Sequence, residues 1–150
     1  MTIPANSRLR FPDIVFTHQL DVQIRFADYD TFGHINNNSY MAYLDLGKSE
    51  FLCDIMGKRC SPSDLSAAIV NIDVDFLAPT PLNESLVVKT AVVRLGEHSF
   101  TLYQRIVNPA TGVVKVQATS TLAGFDIATQ SSAPLQPGLV TALRANSQKV

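Results

Sequence analysis

The stretch Asn38-Ser39-Tyr40-Met41-Ala42-Tyr43-Leu44-Asp45-Leu46-Gly47-Lys48-Ser49-Glu50-Phe51-Leu52-Cys53-Asp54-Ile55-Met56 reads as one long helix. Tyr40, Leu44, Gly47, Phe51 and Ile55 recur at steps of three and four, which places them on one face of a 3.6-residue repeat. Met41, Tyr43, Leu46 and Leu52 widen that face well beyond a normal stripe, so the helix is expected to be largely enclosed. Asn36, Asn37, Asn38 and Ser39 supply candidate caps, whose side-chain oxygens accept from free backbone N–H groups. A glycine inside a helix costs about 1 kcal/mol against alanine, so Gly47 points to close packing.

Working outward, the flanks of this helix read as strands. Before it, Leu20, Val22, Ile24 and Phe26 alternate with Asp21, Gln23 and Arg25, the period of a half-buried strand. After a loop at Ser61-Pro62-Ser63, Val70, Ile72, Val74 and Phe76 alternate with Asn71, Asp73 and Asp75, and Pro79 and Pro81 end the run. Residues 85–95, 98–108 and 113–127 supply three more strands, joined by connectors short enough for antiparallel hairpins. The predicted class is α+β: an antiparallel sheet of about five strands wrapped around one long central helix. Sequential strands without helices between them argue against a parallel doubly wound sheet. Residues 1–15 are expected to be a mobile lead-in, residues 16–130 the domain, and residues 131–150 a tail with a short helix over 139–145.

Composition bounds the function. With 46% hydrophobic and 17% charged residues, the chain has the profile of one globular domain. A net charge of −1 gives no long-range attraction to nucleic acid or anionic membrane. No apolar run approaches the ~18 residues of a membrane span, and the first ten residues lack a signal-peptide pattern. Cys53 and Cys60 form neither a disulfide framework nor zinc-ligand spacing; they read as reduced, buried thiols of a cytoplasmic protein.

Chemistry-bearing residues concentrate in the loop before the helix. Asp28, Asp30 and His34 lie within seven residues of one another, just ahead of a helix N-terminus. That end carries unpaired N–H groups and partial positive charge. It can stabilise an oxyanion growing on a thioester carbonyl, while a nearby carboxylate attacks the carbon or activates water.

The segment Arg25-Phe26-Ala27-Asp28-Tyr29-Asp30-Thr31-Phe32-Gly33-His34-Ile35-Asn36-Asn37-Asn38-Ser39-Tyr40, with Tyr43-Leu44-Asp45 and Ser49-Glu50-Phe51-Leu52, resembles the hotdog-fold acyl-CoA thioesterases of the 4-hydroxybenzoyl-CoA thioesterase type. The likeness runs from about Val22 to Ile127. It takes in Val74-Asp75-Phe76-Leu77-Ala78-Pro79 and Gly96-Glu97-His98-Ser99-Phe100. The resemblance implies hydrolysis of an acyl-CoA thioester to free acid and coenzyme A, with Asp30 as nucleophile or general base. It also implies backbone amides between Gly33 and Asn37 around the thioester oxygen, with the catalytic role carried to the amides near Asn37. His34 is implied to position water or the carboxylate. Gly33, Asn36 and Tyr40 are carried as substrate-binding positions, as are Arg94 and Ser99 near the nucleotide end of coenzyme A. Plant acyl-carrier-protein thioesterases are similar here but often place Asn where this chain has Phe32. No metal or other cofactor is implied, no nucleic acid or membrane partner is expected, and a homodimer or homotetramer is.

Other residues carry plainer readings. Asp28 reads as a turn or surface residue, Tyr40 and Tyr43 as core. Glu50 and Asp54 lie one turn apart and read as a solvated face, as do Asp73 and Asp75. Two rival functions remain: a noncatalytic acyl-CoA binding module, and a hotdog acyl-CoA hydratase or dehydratase. The second relies on differently placed acid–base pairs.

Overall fold

The computed structural model describes Leu9 and residues 11–147. Strand β1 (His18–Asp21) is followed by helix α1 (Asn37–Met56), a one-turn helix α2 (Pro62–Leu65), and strands β2 (Ala67–Phe76), β3 (Val87–Leu95), β4 (Ser99–Val107) and β5 (Val114–Asp126). A two-residue strand β6 (Ser131–Ser132) and helix α3 (Pro137–Ala145) complete the order. The sheet runs β1-β3-β4-β5-β2 with every pair antiparallel, and β6 pairs with β5. The expected class holds.

Helix α1 crosses one face of the sheet and divides the core in two. Around its first half, Tyr40, Tyr43 and Leu44 pack with Leu86, Val88, Ile106, Val116 and Ala118. Around its second half, Phe51 and Leu52 pack with Val92, Phe100, Leu102 and Leu122, and α3 closes this cluster with Leu139 and Leu143. Between the halves sits Gly47. A Cβ there would come 2.5 Å from Val88 Cγ1 and 3.2 Å from Gln104 Nε2, so glycine sets how closely helix and sheet approach. Gln104 ties the two layers by donating to the Leu44 carbonyl at 3.0 Å and to Thr90 Oγ1 at 3.1 Å.

Several expectations need correction. The alternation over Leu20–Phe26 does not continue as a strand: β1 stops at Asp21, and Phe26–Asp28 form a 3-10 turn. The Asp28 carboxylate accepts from the Arg25 N–H at 2.9 Å and bends the chain out of the sheet. Val22 and Ile24 still reach the core, whereas Phe26 is 91% exposed. β2 starts at Ala67, and a bulge between Ile69 and Asn71 breaks the period of two, leaving Ile69 and Val70 exposed. Helix α2 was not foreseen, although Ser61 and Asp64 form a reciprocal capping box with Pro62 in the first turn. Enclosure of α1 is one-sided, because a single sheet covers one flank and Ala42, Asp45, Leu46 and Ser49 stay exposed. Cys53, in the last turn of α1, and Cys60, in the loop after it, are free thiols but half-buried.

Of the lead-in, Leu9 is buried, and Phe11 and Phe16 pack against Tyr103 on the far face of the sheet, with centroids 4.5 and 5.9 Å away. The rest of that expectation, residues 1–8 and 10, lies outside the described residues. The tail helix is longer than expected and begins at Pro137.

Candidate active site

The loop between β1 and α1 treats its two aspartates differently. Asp28 is 1% exposed. Its carboxylate accepts from Tyr43 Oη, from Ser39 Oγ at 3.0 Å, and from the backbone N–H and guanidinium of Arg25 at 2.9 and 3.2 Å. Burial alone would raise its pKa; the bonds from Tyr43, Arg25 and Ser39 outweigh burial and hold it below the ordinary carboxylate value. The same contact, added to burial, drives the Tyr43 hydroxyl well above its usual range. The turn role expected for Asp28 is present, but a surface role is not.

Asp30 is exposed in the single chain. Its Oδ1 accepts from the Phe32 N–H at 2.9 Å and the His34 N–H at 3.4 Å. Its carbonyl accepts from Gly33, and its N–H donates to the His34 carbonyl at 2.9 Å. Gly33 closes this turn at φ +77°, a conformation that side chains rarely adopt. Oδ2 meets no protein donor among the described residues. The carboxylate is thus held by one oxygen and free at the other.

A cavity of about 280 Å³ opens beside it. Its lining joins Asp30, Phe32 and His34 of the loop, Asn37 and Tyr40 of α1, and Phe76 to Pro79 at the end of β2. The side chain of Asn36 caps α1: it accepts from Ser39 N–H at 2.8 Å while donating to the Asp28 carbonyl at 3.0 Å. The backbone N–H groups of Ser39 and Tyr40 also point to the Asn36 carbonyl, at 3.1 and 3.3 Å. Those of Asn37 and Asn38 meet no protein acceptor among the described residues, and the first turn carries no acidic side chain. Asp30 and Asn37, the first residue of a 20-residue helix whose N-terminal N–H groups are unspent, therefore line one space.

Of the site residues read from the sequence, Asp30, His34, Asn37 and Tyr40 meet at this cavity. Gly33 and Asn36 shape the loop and the cap but do not line it. Among the described residues no hydrogen bond joins the His34 ring to the Asp30 carboxylate; their link runs through the backbone. Tyr40 is buried, and its hydroxyl lies 2.6 Å from Thr80 Oγ1, so the core reading holds with a polar tip. Burial moves its pKa above the usual value. Arg94 and Ser99 bond to each other at 2.8 Å on the β3–β4 hairpin. Val88 is in register, through Ile106 and Val116, with Phe76 of the cavity wall. Arg94 lies six positions farther along β3, roughly 20 Å at the usual strand rise, so one chain does not bring it to the cavity.

The sequence reading missed the far wall. Lys115, 5% exposed, places its Nζ 2.6 Å from Glu84 and donates to the Pro79 carbonyl at 2.9 Å. Its own carbonyl accepts from Leu77 and Ala78 at 2.8 and 3.1 Å. Lys115 holds the Glu84 carboxyl below its ordinary pKa against burial, with help from Asn108. The clamped strap then meets the loop: Ile35 N–H donates to the Thr80 carbonyl at 3.1 Å, and His34 bridges Pro81. Pro79 and Pro81 flagged a strand end in the sequence, but not that this end is a wall of the cavity.

Residues 24–143 match the thioesterase-like superfamily. The chain belongs to that superfamily. Within it, the chain is 24% identical over 119 residues to the long-chain acyl-CoA thioesterase FadM of Escherichia coli, covering 79% of this chain and 90% of that protein. It is 35% identical over 78 residues to a chloroplastic acyl-acyl carrier protein thioesterase of Arabidopsis thaliana, which is 50% of this chain and 41% of that protein. The chain thus spans about two-fifths of that relative's length. A thioesterase from Thermus thermophilus, solved with coenzyme A and zinc, superimposes with a TM-score of 0.75 at 23% identity, over 87% of this chain and 93% of that one. The superfamily's hotdog architecture is the fold described above. Among the described residues, no helix is long and apolar enough to cross a membrane.

Proposed function

We propose that this protein hydrolyses an acyl-CoA thioester, and that Asp30 and the first turn of α1 carry the reaction. The supporting observation is that Asp30, with its half-free carboxylate, and Asn37, at the helix start where the amides of Asn37 and Asn38 are unspent, line one cavity. The thioester oxygen lies against those amides, where the helix dipole stabilises the negative charge that develops on it. Asp30 then acts in one of two ways. As a base it takes a proton from water while the hydroxide adds to the carbonyl carbon. As a nucleophile it forms an anhydride that water opens. In both, the C–S bond breaks, coenzyme A leaves as thiolate and takes up a proton, and the free acid remains.

His34 borders the same space and positions water or the carboxylate. Coenzyme A is favoured as thiol carrier because the FadM match spans 90% of that protein. The free edge of β2, with Ile69, Val70 and Phe76 exposed, and the open flank of α1 support a homodimer. In such an assembly Arg94 and Ser99 would serve the nucleotide end from a neighbouring subunit. Two free thiols suit a cytoplasmic setting.

The test is thiol release from a panel of acyl-CoA esters by the parent and by Asp30→Ala. Activity in the parent and a loss of at least a hundredfold in the variant are expected. Comparable turnover by both would remove Asp30 from the mechanism. Hydration of enoyl-CoA without thiol release, or binding without turnover, would favour a rival function.

A further inference from the structure

A second cavity, of about 420 Å³, opens farther along α1, between Asp45, Lys48 and Ser49 of the helix and the beginning of β2. Its other walls are largely apolar, including Leu52, Leu65 and Leu122. Lys48 is the exception. Its side chain is 4% exposed, and its Nζ lies 3.2 Å from Asp45 Oδ1, a carboxylate that is itself 64% exposed. An ammonium carries three donors, and among the described residues the other two meet no protein acceptor. Burying an ammonium with two of its three donors unmade is costly. Such a group on the wall of a ligand-sized cavity calls for an acceptor from outside the chain.

The position of Lys48 on the helix relates that acceptor to the first cavity. Asn37 and Lys48 are eleven residues apart, about three turns, so they share one face of α1 at a separation of about 16 Å. Met41, half-buried, lies between them on the same face. A ligand whose carbonyl sits at the N-terminal amides and whose tail follows this face ends at Lys48.

We infer that this second cavity holds the far end of the acyl group, and that Lys48 selects chains carrying an oxygen acceptor there, as hydroxyl or carboxylate. The inference rests on the thioesterase reading and adds its substrate class. The 16 Å span suits a chain of about a dozen carbons.

The experiment compares three CoA esters of that length, with a plain alkyl, an ω-hydroxy and an ω-carboxy end, on the parent and on Lys48→Met. The parent should favour at least one oxygenated ester in kcat/KM by about tenfold, the scale of one hydrogen bond to a charged group. The ester that gains more identifies the acceptor. In Lys48→Met that ratio should fall to about one, and Lys48→Arg should restore part of it. Equal kcat/KM for all three esters in the parent overturns the inference while leaving hydrolysis intact. No thiol release from any ester, in this set or the wider panel, sinks the thioesterase reading itself. A change in oligomer mass in Lys48→Met, with the ratio unmoved, assigns Lys48 to a subunit contact and also overturns the inference. Should Lys48→Met fail to fold by circular dichroism, Lys48→Gln takes its place, and the parent's own ester ratio still decides.

Discussion

The inner half of the loop before α1 ends in a carboxylate that the fold consumes; the outer half begins with one that the fold leaves over. Asp28 and Asp30 are the same side chain two residues apart, and their acidity cannot tell them apart in the sequence. Their partners can. Asp28 receives side-chain donors from Tyr43 and Ser39 on α1 and both a backbone and a side-chain donor from Arg25. Asp30 receives two backbone N–H groups, both on one oxygen. A saturated carboxylate is a fastening, because any further acceptor role would break bonds that hold the helix start. A half-used carboxylate beside a cavity is available for chemistry.

Exchanging each aspartate for asparagine should separate these roles. Asp30→Asn should lower thiol release by about 10²–10⁴-fold, the range of a lost acid–base group, with its urea midpoint near the parent's. Asparagine keeps the oxygen that caps the turn. Asp28→Asn should do the reverse in the equilibrium unfolding experiment, costing roughly 2–4 kcal/mol by replacing a buried charged acceptor with a group that also donates. Finding the larger stability loss at Asp30 would break the comparison.

The Asp28 contribution has a definite pH dependence. Its folded pKa is depressed, so the contribution is fully present above the unfolded value of about 4 and lost as pH falls through the lower folded value. Urea titrations from pH 6 downward should show the gap between parent and Asp28→Asn narrowing only below about pH 4. A gap that closed near neutrality would assign it to another group.

Gly47→Ala sharpens the same contrast at the middle of α1. The gain in helix propensity is about 1 kcal/mol, and forcing a methyl against Val88 costs about 1–3 kcal/mol. A net loss of about 1 kcal/mol is expected in thermal melts, and a rise in Tm would show that the sheet yields. The smallest effect belongs to the exposed hairpin. Arg94→Ala should move stability by less than about 0.5 kcal/mol, and any kinetic effect should fall mainly on KM for the CoA ester. A fall confined to kcat would place Arg94 near the chemistry.

What the sequence made legible follows from how local each signal is. The period of α1, the hairpin connectors and the loop motif are local, and the helix, the antiparallel class of the sheet and the meeting of Asp30, His34, Asn37 and Tyr40 follow from them; the pairing of β2 with β5 does not. The end of β1 was hidden because Leu20 to Phe26 keep a perfect alternation, while a carboxylate three residues past Arg25 turns the chain. The bulge in β2 was hidden because Ile69 and Val70 are both apolar and neither marks an irregularity. The wall at Leu77 to Pro79 depends on Lys115, 36 positions away from Pro79, a pairing that no window of sequence contains. Asp28 read as a turn residue for the right local reason, yet its burial comes from Ser39 and Tyr43 one and two turns into α1.

The division of the core by α1 also bears on how the chain is made. All buried members of the cluster around Tyr40 and Leu44 have left the ribosome once Ala118 has emerged. The cluster around Phe51 stays open until Leu139 and Leu143 follow. During vectorial synthesis one half of the same helix can therefore find its partners early, while the other waits with Phe51, Val92 and Phe100 uncovered. That interval is when a nascent chain of this design most needs a chaperone.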